Sequence, residues 1–184
     1  LVLDFMENGS LRSYLDQNFN SIIWQRRLNI MFNISMGLYH IHNFNLIHKD
    51  LHLGNVLLSL IGDSCNACIS DSGFCKPADE DSLNSDNYGV MPYMAPEILR
   101  GKKYTKASDI YSFGIIMNEI ISIIPSFNNE PHDRNLASDI CHGKCLRIRE
   151  EVPEFLKELI QKCWDANPEN RPTSKEIVDK LCYY

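Results

Sequence analysis

Hydrophobic residues recur along most of the chain at the spacing of an α-helix, with apolar positions three and four residues apart. This pattern predicts a mainly helical protein in which amphipathic helices surround one apolar helix. The stretch 107–124 is apolar nearly all round, so we expect it to form the central core helix, and we expect Trp24 and Trp164 to pack in the core. The predicted helices cover residues 10–15, 24–41, 96–100, 107–124, 136–141, 153–164 and 174–181.

Two short apolar runs in the first half of the chain have the character of strands instead. Residues 56–59 and 67–70 form these runs, and residues 62–64 (Gly-Asp-Ser) between them are typical of a turn. They predict a β-hairpin, and residues 1–5 look like the end of another buried strand. The predicted fold class is therefore α+β and mainly α, a helical bundle with one small β-hairpin.

The stretch 71–93 has no usable period and carries many acidic and small polar residues. Structureless loops of this length inside a compact domain are usually functional or disordered. On composition alone, we favour a flexible connector here.

The composition is that of a globular protein without the charge of a nucleic-acid binder. The chain has 184 residues, of which 44% are apolar and 23% charged, and these proportions argue against disorder. Eighteen basic and 24 acidic residues give a net charge of −6, which argues against nucleic-acid binding. The stretch 107–124 includes Asp109, Asn118 and Glu119, which would be costly in hydrocarbon, so a core helix is favoured over a membrane span.

Seven cysteines, an odd number in a chain large enough to form its own core, indicate a reducing, intracellular compartment. Cys65 and Cys68 have the spacing of half a zinc site, but Cys141 and Cys145 have the wrong spacing for the other half. Ordinary thiols are therefore favoured over a metal site.

Three oxygen-bearing side chains are expected to meet at one end of the hairpin. Asp50 and Asn55 lie at the two ends of the loop before the first strand, and Asp71 follows the second strand. Because a hairpin returns its second strand beside its first, Asn55 and Asp71 should lie together, with Asp50 nearby. Such a set suits a hard cation such as Mg²⁺, with waters and phosphate completing its shell. Any one of these residues alone would more simply be a loop cap or an Asx turn.

Five short segments, in this order, resemble motifs of protein kinases. They are HKDLHLGN at 48–55, DSG at 71–73, APE at 95–97, DIYSFG at 109–114 and NRP at 170–172. The first three resemble the catalytic loop, the metal-binding triplet and the triplet that closes the activation segment. The resemblance covers essentially the whole chain and is closest to the tyrosine-kinase-like group of serine/threonine kinases. It implies that residues 1–184 form a partial kinase domain, the hinge and the C-terminal lobe, with the smaller N-terminal lobe expected upstream.

The resemblance implies catalytic roles for individual residues. Asp50 would be the base that accepts the proton of the substrate hydroxyl, and Asn55 and Asp71 would hold Mg²⁺ against the phosphates of ATP. His52 stands where serine/threonine kinases usually have a lysine that neutralises the transferred phosphate. A histidine there supplies a hydrogen-bond donor when neutral, and a positive charge as well when protonated.

The resemblance also implies a nucleotide pocket at the hinge. Leu3 would guard the back of this pocket, and Leu57 would lie beneath the purine ring. Asp4 and Met6 match hinge positions whose backbone groups meet adenine.

Two structural contacts follow from the same motifs. Asp109 would accept hydrogen bonds from the backbone around His48 and Lys49 and so lock the loop. Glu97 and Arg171 would form a structural ion pair.

The expected function is transfer of the γ-phosphate of ATP to serine or threonine hydroxyls of proteins, in the cytoplasm, without nucleic-acid or membrane partners. The alternative is a catalytically weak or inactive pseudokinase that acts as a scaffold. Ser72 replaces the usual Phe of the metal-binding triplet. Val90 replaces the Thr that usually follows the glycine of the substrate-docking loop, here Gly89. No Gly-x-Gly-x-x-Gly occurs, so these residues alone are expected to bind ATP weakly and to transfer little or no phosphate.

Overall fold

Seven α-helices and two small antiparallel sheets make up the regular structure in the computed structural model, which describes residues 6–18, 21–61, 64–71, 73, 75–78 and 89–183. The expected strand at residues 1–5 lies outside these ranges. The predicted class, α+β and mainly α, is confirmed. In chain order the elements are α1 (Leu11–Gln17), α2 (Trp24–Asn43), β1 (Leu46–Ile47), β2 (Val56–Ile61), β3 (Ser64–Ile69), β4 (Lys76–Pro77), α3 (Pro96–Leu99), α4 (Lys106–Ser122), α5 (Arg134–Cys141), α6 (Glu154–Cys163) and α7 (Ser174–Leu181).

The helix α4 is the central core helix that its apolar sequence predicts. Phe113 and Ile116 are fully buried, and a capping box that begins with Thr105 satisfies backbone groups of its first turn. The helix ends at Ser122, two residues earlier than expected, because the left-handed backbone of Ile123 (φ 57°) cannot continue it.

A glycine allows α4 and α6 to pack closely. A Cβ atom added at Gly114 would lie 2.8 Å from the Cβ of Cys163 on α6, which is closer than carbon atoms approach each other. Cys163 is fully buried, and this burial raises the pKa of its thiol. The missing side chain of Gly114 therefore sets the distance between the two helices.

The helix α2 supplies the second large part of the core. Ile30, Met31 and Leu38 are fully buried, and the helix contacts α4, α7 and β3. Trp164 is buried as expected, whereas Trp24 is 37% exposed, so its predicted place in the core is wrong. Trp24 is the first residue of α2 and stands at the surface end of that helix, before its apolar face meets the core.

The predicted hairpin is confirmed as β2 and β3, and it is longer than expected. Its antiparallel pairs run from Val56 opposite Ile69 to Ile61 opposite Ser64, so Ser64 belongs to a strand rather than to the turn. Val56 is fully buried, whereas the next side chain, Leu57, points to the other face and is half-buried.

A second sheet, which the hydrophobic pattern does not predict, joins β1 to β4. Leu46 pairs with Pro77, and Ile47 pairs with Lys76. β4 lies in the stretch predicted as a structureless connector, and that prediction is therefore wrong for this part of it. Strands of two residues are too short to display a period of two, so only the folded chain reveals them.

Within the described ranges, no helix is both long enough and apolar enough to cross a membrane. The same part of the chain contains no group of three or more His, Cys, Asp or Glu side chains that could hold a metal ion. Cys65 and Cys68 are free thiols.

A buried ion pair between Glu97 and Arg171 ties α3 to the segment before α7. The guanidinium donates from Nη1 to Glu97 Oε1 (2.7 Å) and from Nη2 to Glu97 Oε2 (2.8 Å), the two-pronged geometry that arginine favours. Nη1 also donates to the carbonyl of Ala107 at the start of α4 (2.9 Å). Both charged residues are less than a tenth exposed. The predicted structural ion pair is confirmed, and it fastens three parts of the fold together.

Replacing Arg171 with Met should lower the urea concentration at which the protein unfolds, because it leaves the buried Glu97 carboxylate without its charge partner. We expect the free energy of unfolding in urea to fall by about 3–5 kcal/mol. The matched control is Lys157→Met, which removes the half-buried partner 3.5 Å from the exposed carboxylate of Glu154 and should cost less than about 1 kcal/mol. Equal losses in the two variants would contradict a structural role for the buried pair.

Candidate active site

The loop between β1 and β2, residues 48–55, is held against the N-terminal end of α4 by Asp109. Oδ2 of Asp109 accepts a hydrogen bond from the backbone N–H of His48 (2.8 Å), and Oδ1 accepts one from that of Lys49 (3.0 Å). Lys49 has a left-handed backbone (φ 73°), which is costly for a residue other than glycine. The two hydrogen bonds stabilise that strained conformation, and the predicted contact of Asp109 with the loop is confirmed.

Asp109 has a third partner that the sequence does not reveal. Nε2 of His42, near the end of α2, lies 3.0 Å from Asp109 Oδ2, and both side chains are buried. A buried carboxylate needs such partners because it has lost its shell of water. His42 stands at the end of a predicted helix, and only the packing of α2 against α4 brings it to Asp109.

A second set of contacts joins the loop to the end of the hairpin. His48 is fully buried, and its Nε2 lies 3.0 Å from the carbonyl oxygen of Ser70. The backbone N–H and the hydroxyl of Ser70 both donate to the carbonyl of Asn55, at 2.8 and 3.0 Å. Since Asp71 follows Ser70 directly, these bonds place Asp71 beside Asn55, at the end of the hairpin where the sequence predicted them to meet.

Asp50 and Asn55 are in direct contact across the loop. Nδ2 of Asn55 donates to the backbone carbonyl of Asp50 (2.9 Å) and to its carboxylate oxygen Oδ2 (3.2 Å). This leaves Oδ1 of Asn55 without a hydrogen-bond donor among the described residues. Asp71 is exposed, with a left-handed backbone (φ 55°), and its carboxylate likewise accepts no hydrogen bond from the described part of the chain. One carboxamide oxygen and one carboxylate without hydrogen-bond donors among the described residues thus belong to residues at the same end of the hairpin. Oxygen donors of this kind fit Mg²⁺ if phosphate and water supply the other ligands.

The surroundings of His52 favour its neutral form. Burial lowers its pKa, and the nearby His48 lowers it further, outweighing the opposite effects of Asp50 and Asp71. Nδ1 of His52 accepts a hydrogen bond from the backbone N–H of Gly54 (3.0 Å), so the proton is on Nε2, which lies 3.7 Å from Asp50 Oδ2. A Cβ atom on Gly54 would lie 2.7 Å from Cε1 of this ring. The imidazole is therefore held beside Asp50 as an uncharged donor.

The residues predicted to contact the nucleotide are only partly within the described ranges. Leu3 and Asp4 lie outside them. Met6 is half-buried, and its carbonyl accepts the N–H of Gly9, whose own carbonyl accepts the N–H of Leu58 on β2. The chain that follows Met6 therefore runs along the hairpin, beside the half-buried Leu57. The contacts of these residues with adenine stay predictions.

A buried polar cluster that was not predicted from the sequence lies next to the loop. The hydroxyl of Tyr93 donates to Oε2 of Glu119 (2.8 Å), and Nη1 of Arg12 lies 3.5 Å from the same oxygen. Burial and the Glu119 carboxylate raise the pKa of Tyr93. The ring of Tyr93 lies 5.9 Å from the ring of His52, centre to centre. The one sequence feature that could have indicated this cluster is the carboxylate of Glu119 within a helix that is apolar nearly all round, because a buried charge needs partners.

Asp109→Asn preserves the size of the side chain but replaces one acceptor oxygen with an NH₂ group that would face a backbone N–H. We expect the free energy of unfolding to fall by about 1–3 kcal/mol. We also expect the amide protons of His48 and Lys49 to exchange faster with solvent, measured by NMR. Asp179→Asn, at an exposed position on α7, is the control. Unchanged exchange at positions 48 and 49 in Asp109→Asn would show that this carboxylate does not hold the loop.

The lowered pKa of His52 predicts a loss of stability in acid. Unfolded histidine titrates near about 6.5, so the unfolded chain binds the proton first. The contribution of neutral His52 is complete above that pH and is lost as the pH falls through the interval down to the folded-state pKa. An NMR titration of the His52 ring should give a midpoint below that of a histidine in a short peptide. In Gly54→Ala, which displaces the ring, the midpoint should move back towards the peptide value; a midpoint in the unmodified chain at or above it would refute the assignment.

Comparison with known proteins agrees with this geometry. A sequence model described as "Protein tyrosine and serine/threonine kinase" matches residues 1–181. The Dictyostelium discoideum protein named "Probable serine/threonine-protein kinase roco5" is 32% identical over 98% of this chain, which covers 7% of that protein. "RGS domain-containing serine/threonine-protein kinase A", from the same organism, is 30% identical over 97% of this chain, which covers 15% of that protein. The chain thus spans a small part of the length of these relatives, and it belongs to the family of protein tyrosine and serine/threonine kinases.

Proposed function

We propose that this chain carries the catalytic loop of a protein kinase that transfers the γ-phosphate of ATP to serine or threonine hydroxyls of proteins. The observation that carries the proposal is the hydrogen bond between Asn55 and Asp50, with Asp71 brought alongside through Ser70. Phosphoryl transfer depends mainly on positioning and on neutralising charge; these side chains supply the positioning and would hold the Mg²⁺ that neutralises charge. The names of the relatives reported above support serine or threonine as the acceptor.

In this proposal Asp50 is the group that accepts the proton of the substrate hydroxyl. Its carboxylate is partly exposed, with 18% of the side chain accessible, so a substrate can reach it. Asn55 fixes the orientation of the carboxylate by donating to Oδ2. His52 adds a neutral donor from Nε2 on the same side, where it would orient the phosphate or the attacking hydroxyl without neutralising charge.

Asn55 and Asp71 are the residues that would hold Mg²⁺. The metal, when bound, offsets the negative charge of the ATP phosphates. The exposed carboxylate of Asp71 supports this assignment, as does Oδ1 of Asn55, which has no hydrogen-bond donor in the described part of the chain; the paired amide nitrogen of Asn55 distinguishes its two side-chain atoms. For the base of the nucleotide we propose Leu3, Asp4, Met6 and Leu57, as the resemblance implies.

Residues 1–184 act in this proposal as the hinge and larger lobe of the kinase domain. A phosphate-covering loop and its lysine would come from residues upstream of the chain. We therefore expect the 184 residues alone to bind ATP weakly and to transfer little phosphate.

One observation favours a second candidate, a catalytically weak pseudokinase that serves as a scaffold. The pKa of His52 is lowered, which favours the neutral imidazole, and a neutral imidazole cannot offset the charge of the transferred phosphate. The retention of Asp50, Asn55 and Asp71 favours the active enzyme over this alternative.

Asp50→Asn, made in the full natural protein that contains this chain, separates the two functions. We expect the rate of transfer from MgATP to a serine peptide to fall by about 10²–10⁴-fold, because the variant cannot accept the hydroxyl proton. Nucleotide binding, measured by a titration with a fluorescent ATP analogue, should remain. The control is again Asp179→Asn, which should transfer phosphate at the unmodified rate. An unmodified protein without measurable transfer would favour the scaffold, and an Asp50→Asn variant of undiminished rate would exclude Asp50 as the base.

A further inference from the structure

The segment between α5 and α6 has the features of an open peptide-binding edge. Residues 144–149 form neither helix nor strand, yet their exposure alternates in the manner of an extended chain. Leu146 and Ile148 are half-buried and pack on the core, whereas Arg147 and Arg149 are exposed. One side of the segment is therefore anchored and the other faces solvent with two arginines.

The backbone of this segment is unpaired in its middle. The N–H of Lys144 donates to the carbonyl of Asp139, and the carbonyl of Arg149 accepts the N–H of Val152, so both ends are fixed. Between these anchors, the N–H groups of residues 145–149 donate no hydrogen bond to any part of the chain that the structure describes. An extended backbone with unpaired N–H groups is a template on which another extended chain can pair.

A cavity of about 490 Å³ opens beside this edge, between it and the C-terminal end of α4. Two polar side chains in its wall, Asn118 and Ser126, are 5% and 3% exposed. Neither Asn118 Oδ1 nor Ser126 Oγ has a hydrogen-bond partner within the described ranges. An unsatisfied buried polar group is costly, so a wall with two of them is suited to a ligand that brings hydrogen-bonding groups.

The charge around the cavity selects an acidic ligand. Lys144 is already neutralised, since its Nζ lies 2.6 Å from Glu130 and 3.1 Å from Asp139. Arg147 and Arg149 have no carboxylate within ion-pair distance in the described structure, and both line the cavity. Arginine is well suited to bind carboxylates through paired hydrogen bonds.

Contacts lead from the cavity to the candidate catalytic loop. The backbone N–H of Ser126 donates to Oε1 of Glu119 (2.5 Å), whose other oxygen accepts the hydroxyl of Tyr93. Tyr93 contacts His52, and His52 lies beside Asp50. A chain bound in the cavity would therefore be attached to the same rigid cluster that borders the site of phosphoryl transfer.

We propose that residues 144–149 and the adjoining cavity bind an extended acidic segment of the protein substrate. Carboxylates two residues apart pair with Arg147 and Arg149, the peptide backbone pairs with the open N–H groups, and a polar group of the peptide reaches Asn118 and Ser126. That the bound protein is a substrate rests on the proposed kinase function; the binding site itself does not.

The binding half of the proposal is tested by fluorescence anisotropy with the full natural protein. The probe is a fluorescein-labelled peptide of four Glu-Ser repeats, and a peptide of four Gln-Ser repeats is its neutral counterpart. We expect the acidic probe to bind and the neutral one to bind at least about tenfold more weakly. The double variant Arg147→Glu/Arg149→Glu should weaken acidic binding by a similar factor, whereas Lys162→Glu/Lys180→Glu, with the same change of charge at exposed sites elsewhere, should not.

Asn118→Leu tests the cavity wall without changing the charge. We expect this variant to bind the acidic probe more weakly and to melt at the same or a higher temperature, because it removes an unsatisfied buried oxygen. A lower melting temperature with unchanged binding would assign Asn118 a purely structural role and overturn its part in the site. Equal binding by both double variants, or no discrimination between the two peptides, would overturn the site itself.

The substrate half is tested separately by kinetics. A serine peptide extended with four Glu-Ala repeats, which add no acceptor hydroxyl, should show a lower KM than the unextended peptide, and Arg147→Glu/Arg149→Glu should abolish this advantage without changing kcat for the unextended peptide. An equal KM for both peptides would overturn the link to the substrate, even if the acidic probe binds. Absence of phosphorylation of either peptide would instead refute the proposed function, while the anisotropy result would still stand. Arginine-dependent binding of phosphatidylserine vesicles, without peptide binding, would identify the edge as a lipid contact and refute the proposal.

Discussion

The buried carboxylate of Asp109 is the contact on which the candidate site depends. It lies in the first turn of α4, where the helix dipole favours negative charge, and it is satisfied by two backbone N–H groups and by His42. The loop that carries Asp50 is thus bonded directly to the central helix of the core. Most residues of α4 are buried, so the loop is attached to the packed core of the domain. A fixed loop suits chemistry that depends on positioning.

The long helices and the hairpin could be predicted because each displays its period over several turns or pairs. Smaller features could not. β1 and β4 have two residues each, which is too few to show alternation. α5 begins at Arg134, two residues before its apolar pattern, because the side chain of Asp133 accepts hydrogen bonds from the first N–H groups of the helix. Trp24 is a residue type that often packs in the core, but it is the first residue of its helix. Its place at the helix end explains its exposure.

The candidate site divides in the same way. Topology alone brings Asn55 and Asp71 to one end of the hairpin, and the sequence sufficed to place them there. The orientation of the Asn55 amide, the protonation of His52 and the partners of Glu119 depend on residues far apart in the chain. Arg12 comes before the hairpin in the sequence, whereas Tyr93 and Glu119 come after it. No local sequence pattern therefore connects these three residues. The lowered pKa of His52 follows first from burial, and the position of its ring proton follows from the backbone N–H of Gly54; neither has a sequence signature.

The close approach of Gly114 to Cys163 also makes the reactivity of the Cys163 thiol a measure of whether α4 and α6 are packed together. Cys68, Cys145 and Cys182 are exposed thiols, whereas the sulfur of Cys163 is sealed between two helices and its burial disfavours the reactive thiolate. Alkylating reagents will therefore label the outer cysteines at once and the sealed one only when α4 and α6 separate. The labelling rate of that single sulfur, followed by mass spectrometry, measures how often the centre of the domain opens, without any added probe.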